Sequence, residues 1–269
     1  MNQVDHLARI VVRKRVEVAR RLRRADSFVR FAEAAPLPRA DLLAPLRRPS
    51  GEGPRVIAEI KLKSPSAGKF RERVPGELVD IAAGYERAGA AAISVLCDGP
   101  GFGGSPLDLR RVATRVHVPV LFKEFVVDPV QVDLARAAGA SYVLLIVRML
   151  NDRELVQLIR EVRMRGLEPV VEAADADELD RALATDASIV GVNARDLRSF
   201  DVDGGRAGEL VDRIPLERVA VFMSGIRSAA DYVRVAGTRA DAVLIGEGLM
   251  RAPDPGAKLS ELLREGSAR

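Results

Sequence analysis

Residues 56–66 read Val56-Ile57-Ala58-Glu59-Ile60-Lys61-Leu62-Lys63-Ser64-Pro65-Ser66. Val56, Ile57, Ala58 and Ile60 make a short buried strand, and alternation puts Glu59, Lys61 and Lys63 on one face of it. A doubly wound dinucleotide fold would follow its first strand with a glycine-rich turn; here Lys-Leu-Lys-Ser-Pro-Ser follows instead. Outward from this stretch the texture repeats. Short β-branched or Leu-rich runs recur at 91–96, 118–122, 142–147, 168–171, 188–192, 219–223 and 241–245. Amphipathic stretches follow them at 75–88, 105–115, 129–138, 152–165, 176–184, 206–213, 228–236 and 256–265, and Gly89, Gly139, Gly166 and Gly237 stand where helices stop. Eight strand–helix units predict an α/β fold of the (β/α)8 barrel type over 56–269, in a chain of 269 residues read as a single domain.

Residues 1–55 read as an N-terminal helical extension. Val4, Leu7, Ile10, Val11, Val18 and Leu22 recur near helical spacing within 4–24, and Pro36, Pro38, Pro45, Pro49 and Pro54 punctuate the connection from there to the first strand. This segment holds 13 Lys and Arg against 6 Asp and Glu, so the remainder of the +4 chain is net acidic. With aromatics at only 4% and no recognition motif, the basic helix is read as a solvated face and no nucleic-acid partner is expected. No apolar run approaches a membrane span, and a cytoplasmic location is expected. One cysteine, Cys97, and two histidines, His6 and His117, give neither a disulfide framework nor a zinc set, so metal and cofactor are both expected to be absent.

Lysine usage is informative. Of 42 basic residues only Lys14, Lys61, Lys63, Lys69, Lys123 and Lys258 are lysine. Arginine cannot release its proton in a protein and lysine can, so retained lysines mark candidate proton chemistry. Barrel active sites lie at the C-terminal ends of the strands. There the chain places Glu59, Lys61 and Lys63, then Cys97-Asp98, Lys123-Glu124, Glu172, Asn193 and Arg195, Ser224-Gly225, and Gly246-Glu247-Gly248. Buried ammonium and carboxylate groups converging from five or more strands suit acid–base catalysis by lysines tuned by burial and by Glu59 and Glu172; an ion-pair plug is the bland alternative. Gly225 and Gly246-Glu247 follow the last two strands, where barrels bind phosphate through backbone N–H groups, with Ser64 or Ser66 as an added donor. Arg195 suits a second anionic group, or else a surface pair with Asp196 or Asp201. Phe102, Phe125 and Phe200 stand beyond strand ends as walls for a planar ring. Lys14 and Lys258 read as helix-surface residues, Lys69 as a loop residue and Cys97 as a small buried one.

In order, these strand ends resemble the indole-3-glycerol phosphate synthase family. The resemblance covers nearly the whole chain: the basic first helix with Lys14-Arg15 and Glu17-Val18, Ile57 to Lys61 with Ser64-Pro65-Ser66, Ser94-Val95-Leu96, Phe102-Gly103-Gly104-Ser105, Lys123-Glu124-Phe125, Ile189 to Asn193 with Arg195, Ser224-Gly225-Ile226, and Gly246-Glu247 to Leu249-Met250. It implies a carboxy-lyase that closes an indole ring on 1-(2-carboxyphenylamino)-1-deoxyribulose 5-phosphate, releasing CO2 and water, and acts as a monomer or weak homodimer on a small aromatic sugar phosphate. Lys123 is then the general acid. Lys61 with Glu59 meets the carboxylate or assists dehydration, and Glu172 is the base. Asn193 orients Glu59 and the substrate hydroxyls, and Ser224 completes the polar set. Arg195, Phe102 and Phe125 contact the substrate, with Ser64, Gly225, Gly246 and the backbone of Glu247 on its phosphate.

Several positions depart from the family pattern. Met223 stands where the family has a glutamate, Glu124 where aspartate is usual, Phe122 where arginine is common, and Ala173 where histidine is common; the loop 97–101 has lost one of two aromatics. All are expected around the pocket, which Phe122, Ala173 and Met223 would make more apolar. Two alternatives arise from them: a paralogue acting on a modified anthranilate-derived sugar phosphate, and a non-catalytic binding subunit, against which the retained Glu59, Lys61, Lys123, Glu172 and Asn193 argue.

Overall fold

The computed structural model describes residues 6–22, 41–65, 67–195 and 202–267. Strand β1 (Arg55–Ile60) starts a closed parallel barrel continued by β4 (Ala92–Leu96), β5 (Val120–Lys123), β6 (Tyr142–Ile146), β7 (Glu168–Ala173), β8 (Ile189–Asn193), β9 (Val219–Met223) and β10 (Ala242–Ile245). Strand β10 returns to β1 with Arg55 opposite Ala242 and Ala58 opposite Ile245. Closure excludes the open doubly wound sheet and makes the chain a (β/α)8 barrel. Between β1 and β4 lies a two-stranded hairpin, β2 (Lys63–Ser64) and β3 (Gly68–Lys69).

The strands are buried on both faces because helices cover the outside: α2 (Glu77–Arg87), α4 (Pro106–Ala113), α5 (Pro129–Ala138), α6 (Asp152–Met164), α7 (Ala176–Leu183), α8 (Gly204–Asp212), α9 (Ala229–Ala236) and α11 (Pro255–Ser267), with short α3 (Gly99–Phe102) and α10 (Glu247–Met250) at the mouth. Their starts are written in the sequence. Asp128, Asn151, Asp175, Asp203 and Ser228 each turn a side-chain oxygen onto an otherwise unpaired N–H of the first helical turn, and Asn151 and Ser228 form full capping boxes with Glu154 and Asp231. Gly89, Gly139 and Gly166 leave their helices in the left-handed region, whereas Gly237 does so in right-handed geometry, at φ −74.

At the N-terminus, helix α1 (His6–Leu22) lies against α5. The punctuated segment after it holds a 3-10 turn at Ala44–Leu46 and is sewn to the barrel: the Tyr142 hydroxyl donates to Leu42 O at 2.7 Å and the Tyr232 hydroxyl to Pro54 O at 2.7 Å. Leu46 is completely buried. Among the described residues, no helix is long and apolar enough to cross a membrane.

Three sequence expectations need correction. Lys14 is not a surface residue; it is 1% exposed. Lys63 does not share an interior face with Glu59 and Lys61, because β1 ends at Ile60 and the chain turns into the hairpin, which breaks the alternation. Phe122 and Ala173 are buried but do not line the cavity at the barrel mouth; Lys123 faces it, so alternation sends Phe122 to the helix side. Of the departures that were to make the pocket more apolar, Met223 alone lines it.

Candidate active site

The C-terminal ends of the strands enclose a cavity that is open at the mouth. Glu59, Lys61, Lys123, Glu172, Asn193, Arg195, Ser224 and Glu247 bring polar atoms to it, and Ser64 lies at its edge. Leu96, Leu144, Ile146, Met223 and Leu244 form its apolar floor; the sequence reading did not single out these leucines and Ile146, since core and pocket strands share one composition. Phe102 and Phe125 stand on one side with ring centroids 5.9 Å apart and planes tilted by 42°. Phe200, Ser66, Asp196 and Asp201 lie outside the described residues.

Two ion pairs occupy the base. Lys123 Nζ is 3.1 Å from Glu172 Oε2, and Lys61 Nζ is 3.0 Å from Glu59 Oε1. Asn193 Nδ2 donates to Glu172 Oε1 at 3.0 Å, while its Oδ1 accepts the Arg195 backbone N–H at 3.0 Å. So Asn193 orients Glu172, not Glu59 as expected; Ser94, opposite Glu59 across β1 and β4, holds that carboxylate instead, at 3.4 Å. Burial on its own would lower the proton affinity of Lys123, but the Glu172 and Glu59 carboxylates outweigh it and hold the ammonium above the ordinary 10.5. Lys123 is thus a charged donor at neutral pH, already aimed at a carboxylate.

Gly246 makes room for this arrangement. A β-carbon there would stand 2.4 Å from Glu59 Oε1, so only glycine lets the carboxylate lie against the β10 end. After β9, Ser224 and Gly225 are both left-handed, at φ 69 and 81, and turn the chain sharply at the rim. A second, adjoining cavity is lined by Lys61, Arg195, Gly225, Arg227, Gly246 and Glu247. The Glu247 carboxylate is ringed by Arg251 at 3.1 Å, Arg195 at 3.2 Å and Arg227 at 3.6 Å. Burial would raise it, yet the Arg251 hydrogen bond and the Arg227 and Arg195 charges prevail and keep it below its ordinary 4.5. Cations therefore exceed anions in this corner, which suits a dianionic group. Arg227 was missed from sequence although it directly follows Ser224-Gly225-Ile226. So was Phe70, whose ring carries Lys61 Nζ at 5.5 Å and the Arg251 guanidinium at 4.9 Å.

Other candidates fall away from the cavity. Cys97 is buried, with Sγ 3.4 Å from Val95 O. His117 is exposed beside Glu86, Lys69 pairs with Glu72 on the hairpin, and Lys258 pairs with Glu261 along its helix. Among the described residues, no cluster of His, Cys, Asp and Glu could hold a metal ion.

Comparison with known proteins gives a consistent result. The family model described as indole-3-glycerol phosphate synthase matches residues 7–262. A protein of that name from Leifsonia xyli subsp. xyli is 45% identical over 264 residues, covering 96% of this chain and 98% of its own. Another from Mycobacteroides abscessus is 42% identical over 236 residues, covering 88% and 85%. Among solved structures, a tryptophan synthase alpha-subunit variant from Pyrococcus furiosus superposes with a TM-score of 0.60 at 14% identity, covering 80% of this chain and 98% of that one; at this identity the likeness speaks for the fold alone.

Proposed function

Because the chain belongs to the indole-3-glycerol phosphate synthase family, carboxy-lyases of tryptophan biosynthesis, we propose that it cyclises 1-(2-carboxyphenylamino)-1-deoxyribulose 5-phosphate to indole-3-glycerol phosphate. The observation that carries the reading is the buried Lys123–Glu172–Asn193 chain, which sets a protonated lysine against a carboxylate held from both sides.

In this reading the substrate ring packs against Phe102 and Phe125 over the apolar floor. The ring carbon bearing the carboxylate attacks the ribulose carbonyl carbon, and Lys123 Nζ–H donates its proton to the carbonyl oxygen as the C–C bond forms. Loss of CO2 returns the electron pair to the ring. The new hydroxyl then leaves as water, with Lys61, paired to Glu59, as its proton source and Glu172 as the base that takes a proton from the methylene carbon beside the nitrogen, forming the double bond of the indole. Arg195 faces the substrate carboxylate, and Ser224 completes the polar rim. The phosphate falls in the adjoining arginine-rich cavity, on the backbone N–H groups of Gly225, Gly246 and Glu247, with Ser64 as a further donor from the edge of the main cavity. The excess of cations there supports this orientation. The cytoplasm is the compartment we infer, with the protein a monomer or weak homodimer that uses no metal or cofactor.

Met223 carries a second reading, a paralogue whose substrate bears a modified anthranilate ring, since a thioether on the floor can neither titrate nor accept a strong hydrogen bond. A continuous fluorescence assay for indole-3-glycerol phosphate decides between them, with Lys123→Ala as control. Turnover that vanishes in the variant supports the synthase. A folded protein that binds this substrate without turning it over sinks that reading and favours the paralogue.

A further inference from the structure

Helix α1 sends one lysine into the barrel's flank. Lys14 Nζ lies 2.8 Å from Asp98 Oδ1, 3.0 Å from both oxygens of Glu124 and 3.0 Å from Glu17 Oε2. Asp98 and Glu124 are as buried as Lys14 itself. Asp98 lies outside the lining of the catalytic cavity, while Glu124 reaches that lining between Lys123 and Phe125; each also organises a loop. Asp98 also takes Arg13 at 2.6 Å, and its Oδ2 accepts the Gly101 N–H at 2.7 Å, starting the short α3 that ends in Phe102. Glu124 follows Lys123, and its Oε1 accepts the Phe125 N–H at 2.8 Å. Gln131 braces the same loop from behind, donating to Phe125 O at 2.9 Å and accepting from Val127 N at 2.8 Å.

We propose that Lys14 is a positioning residue for the active site: one buried ammonium, delivered by the N-terminal helix, pins the segment that carries Phe102 to the one that carries Phe125 directly after Lys123 at the end of β5. The strands beneath already tie Cys97 N–H to Lys123 O at 2.9 Å, so the backbone register is fixed without Lys14. What Lys14 adds is the relative placement of the side chains above it, because its two anchors point to different loops. Three buried charged groups, with Arg13 and Glu17 at their edge, hold one geometry or none, which is how a buried network specifies structure. Burial alone would drive the Lys14 proton off, but Glu124 and Asp98 more than compensate, and the ammonium stays charged. This inference rests on the synthase reading for its kinetic consequence, not for its structural one.

Lys14→Met alone strands the buried Glu124 carboxylate and leaves Asp98 to Arg13, and is expected to fold poorly. The diagnostic protein is therefore the full chain with Lys14→Met and Glu124→Gln together, which removes one charge of each sign and leaves Asp98 to Arg13. Its melting temperature, kcat and KM are measured, with amide hydrogen exchange over 98–103 and 124–127. Expected are exchange at least about tenfold faster in those two segments with the barrel strands unchanged, and kcat about 100-fold lower with KM moving less than tenfold, the scale of a misplaced catalytic group. Wild-type exchange in both segments, or wild-type kcat from the folded variant, overturns the proposal. If the unaltered protein does not turn over the carboxyphenylamino-deoxyribulose phosphate, the synthase reading fails and the exchange data alone decide the role of Lys14.

Discussion

Met223 lies across Gly191: a β-carbon on Gly191 would stand 2.3 Å from the Met223 methyl carbon and 3.0 Å from its sulfur. The two belong to adjacent strands, with Asn193 opposite Met223 and Gly191 opposite Val221. The thioether on the cavity floor thus occupies the space that a side chain at 191 would need. Gly191→Ala should push the flexible end of Met223 into the cavity. Stability is expected to change by only about 1 kcal/mol, since a mobile side chain yields and a strand alanine regains some entropy. The effect should appear as a KM several-fold higher, and Gly191→Ala with Met223→Ala should restore it. An unchanged KM in the single variant would show that Met223 relaxes elsewhere.

The barrel was legible because a closed parallel sheet leaves a direct mark: eight buried runs at near-regular spacing, each followed by a helix, most of them with a side-chain cap. The mouth was legible where alternation continued to the strand end, as at Glu59, Glu172 and Asn193. It failed at Lys63, where the strand had already stopped. Lys14 was misread although two signals were present. It is one of only six lysines, and it falls on the same stripe as Leu7, Ile10 and Val18, all buried, while Val12 and Val16 on the other faces are exposed. A charge on an apolar stripe needs a partner, and the partners, Asp98 and Glu124, are distant in sequence. Arg195 was singled out, but its convergence with Arg227 and Arg251 on Glu247 was hidden for the same reason, since the three come from separate strand ends.

Met223→Glu tests the floor's chemistry. Lys61, Lys123 and Arg195, the cations lining this cavity, are each already paired with a carboxylate, so the introduced group enters a buried position whose neighbouring cations are engaged. Its folded-state pKa should be raised, so its charge costs stability as pH rises through neutrality, and the loss should recede on acidification toward pH 5. A melting-temperature deficit at pH 7.5 that shrinks at lower pH is the expected pattern. A synthase should keep or gain turnover from the added carboxylate, whereas a specialised paralogue should lose its own reaction.

The pH profile of Lys123 is set by its partner. Because Glu172 and Glu59 hold the ammonium above the ordinary 10.5, the stabilisation from this pairing is complete below that value and is lost only as pH rises through the higher folded-state pKa. The general acid therefore should impose no basic limb on kcat/KM below about pH 10. Glu172→Gln removes the largest attractive charge and leaves burial to dominate, so a basic limb should move down into the measurable range. Lys123→Met should cost about 10²–10⁴-fold in kcat. A limb that stays fixed in Glu172→Gln would assign the titration to another group.

Gly246→Ala addresses the other ion pair without touching a charge. The new methyl would meet Glu59 Oε1 at 2.4 Å, and the carboxylate must retreat from Lys61, now 3.0 Å away. Gly246 is not left-handed, and the methyl's close contacts are all with the Glu59 side chain, so the cost falls there. The protein should melt within a few degrees of the parent while kcat falls about 100-fold, as for a displacement of roughly an ångström. Pairing Gly246→Ala with Glu59→Asp, whose shorter side chain withdraws the carboxylate from the methyl, should recover part of that loss. If the double variant is no faster than the single one, the methyl acts on the rim turn and not through Glu59.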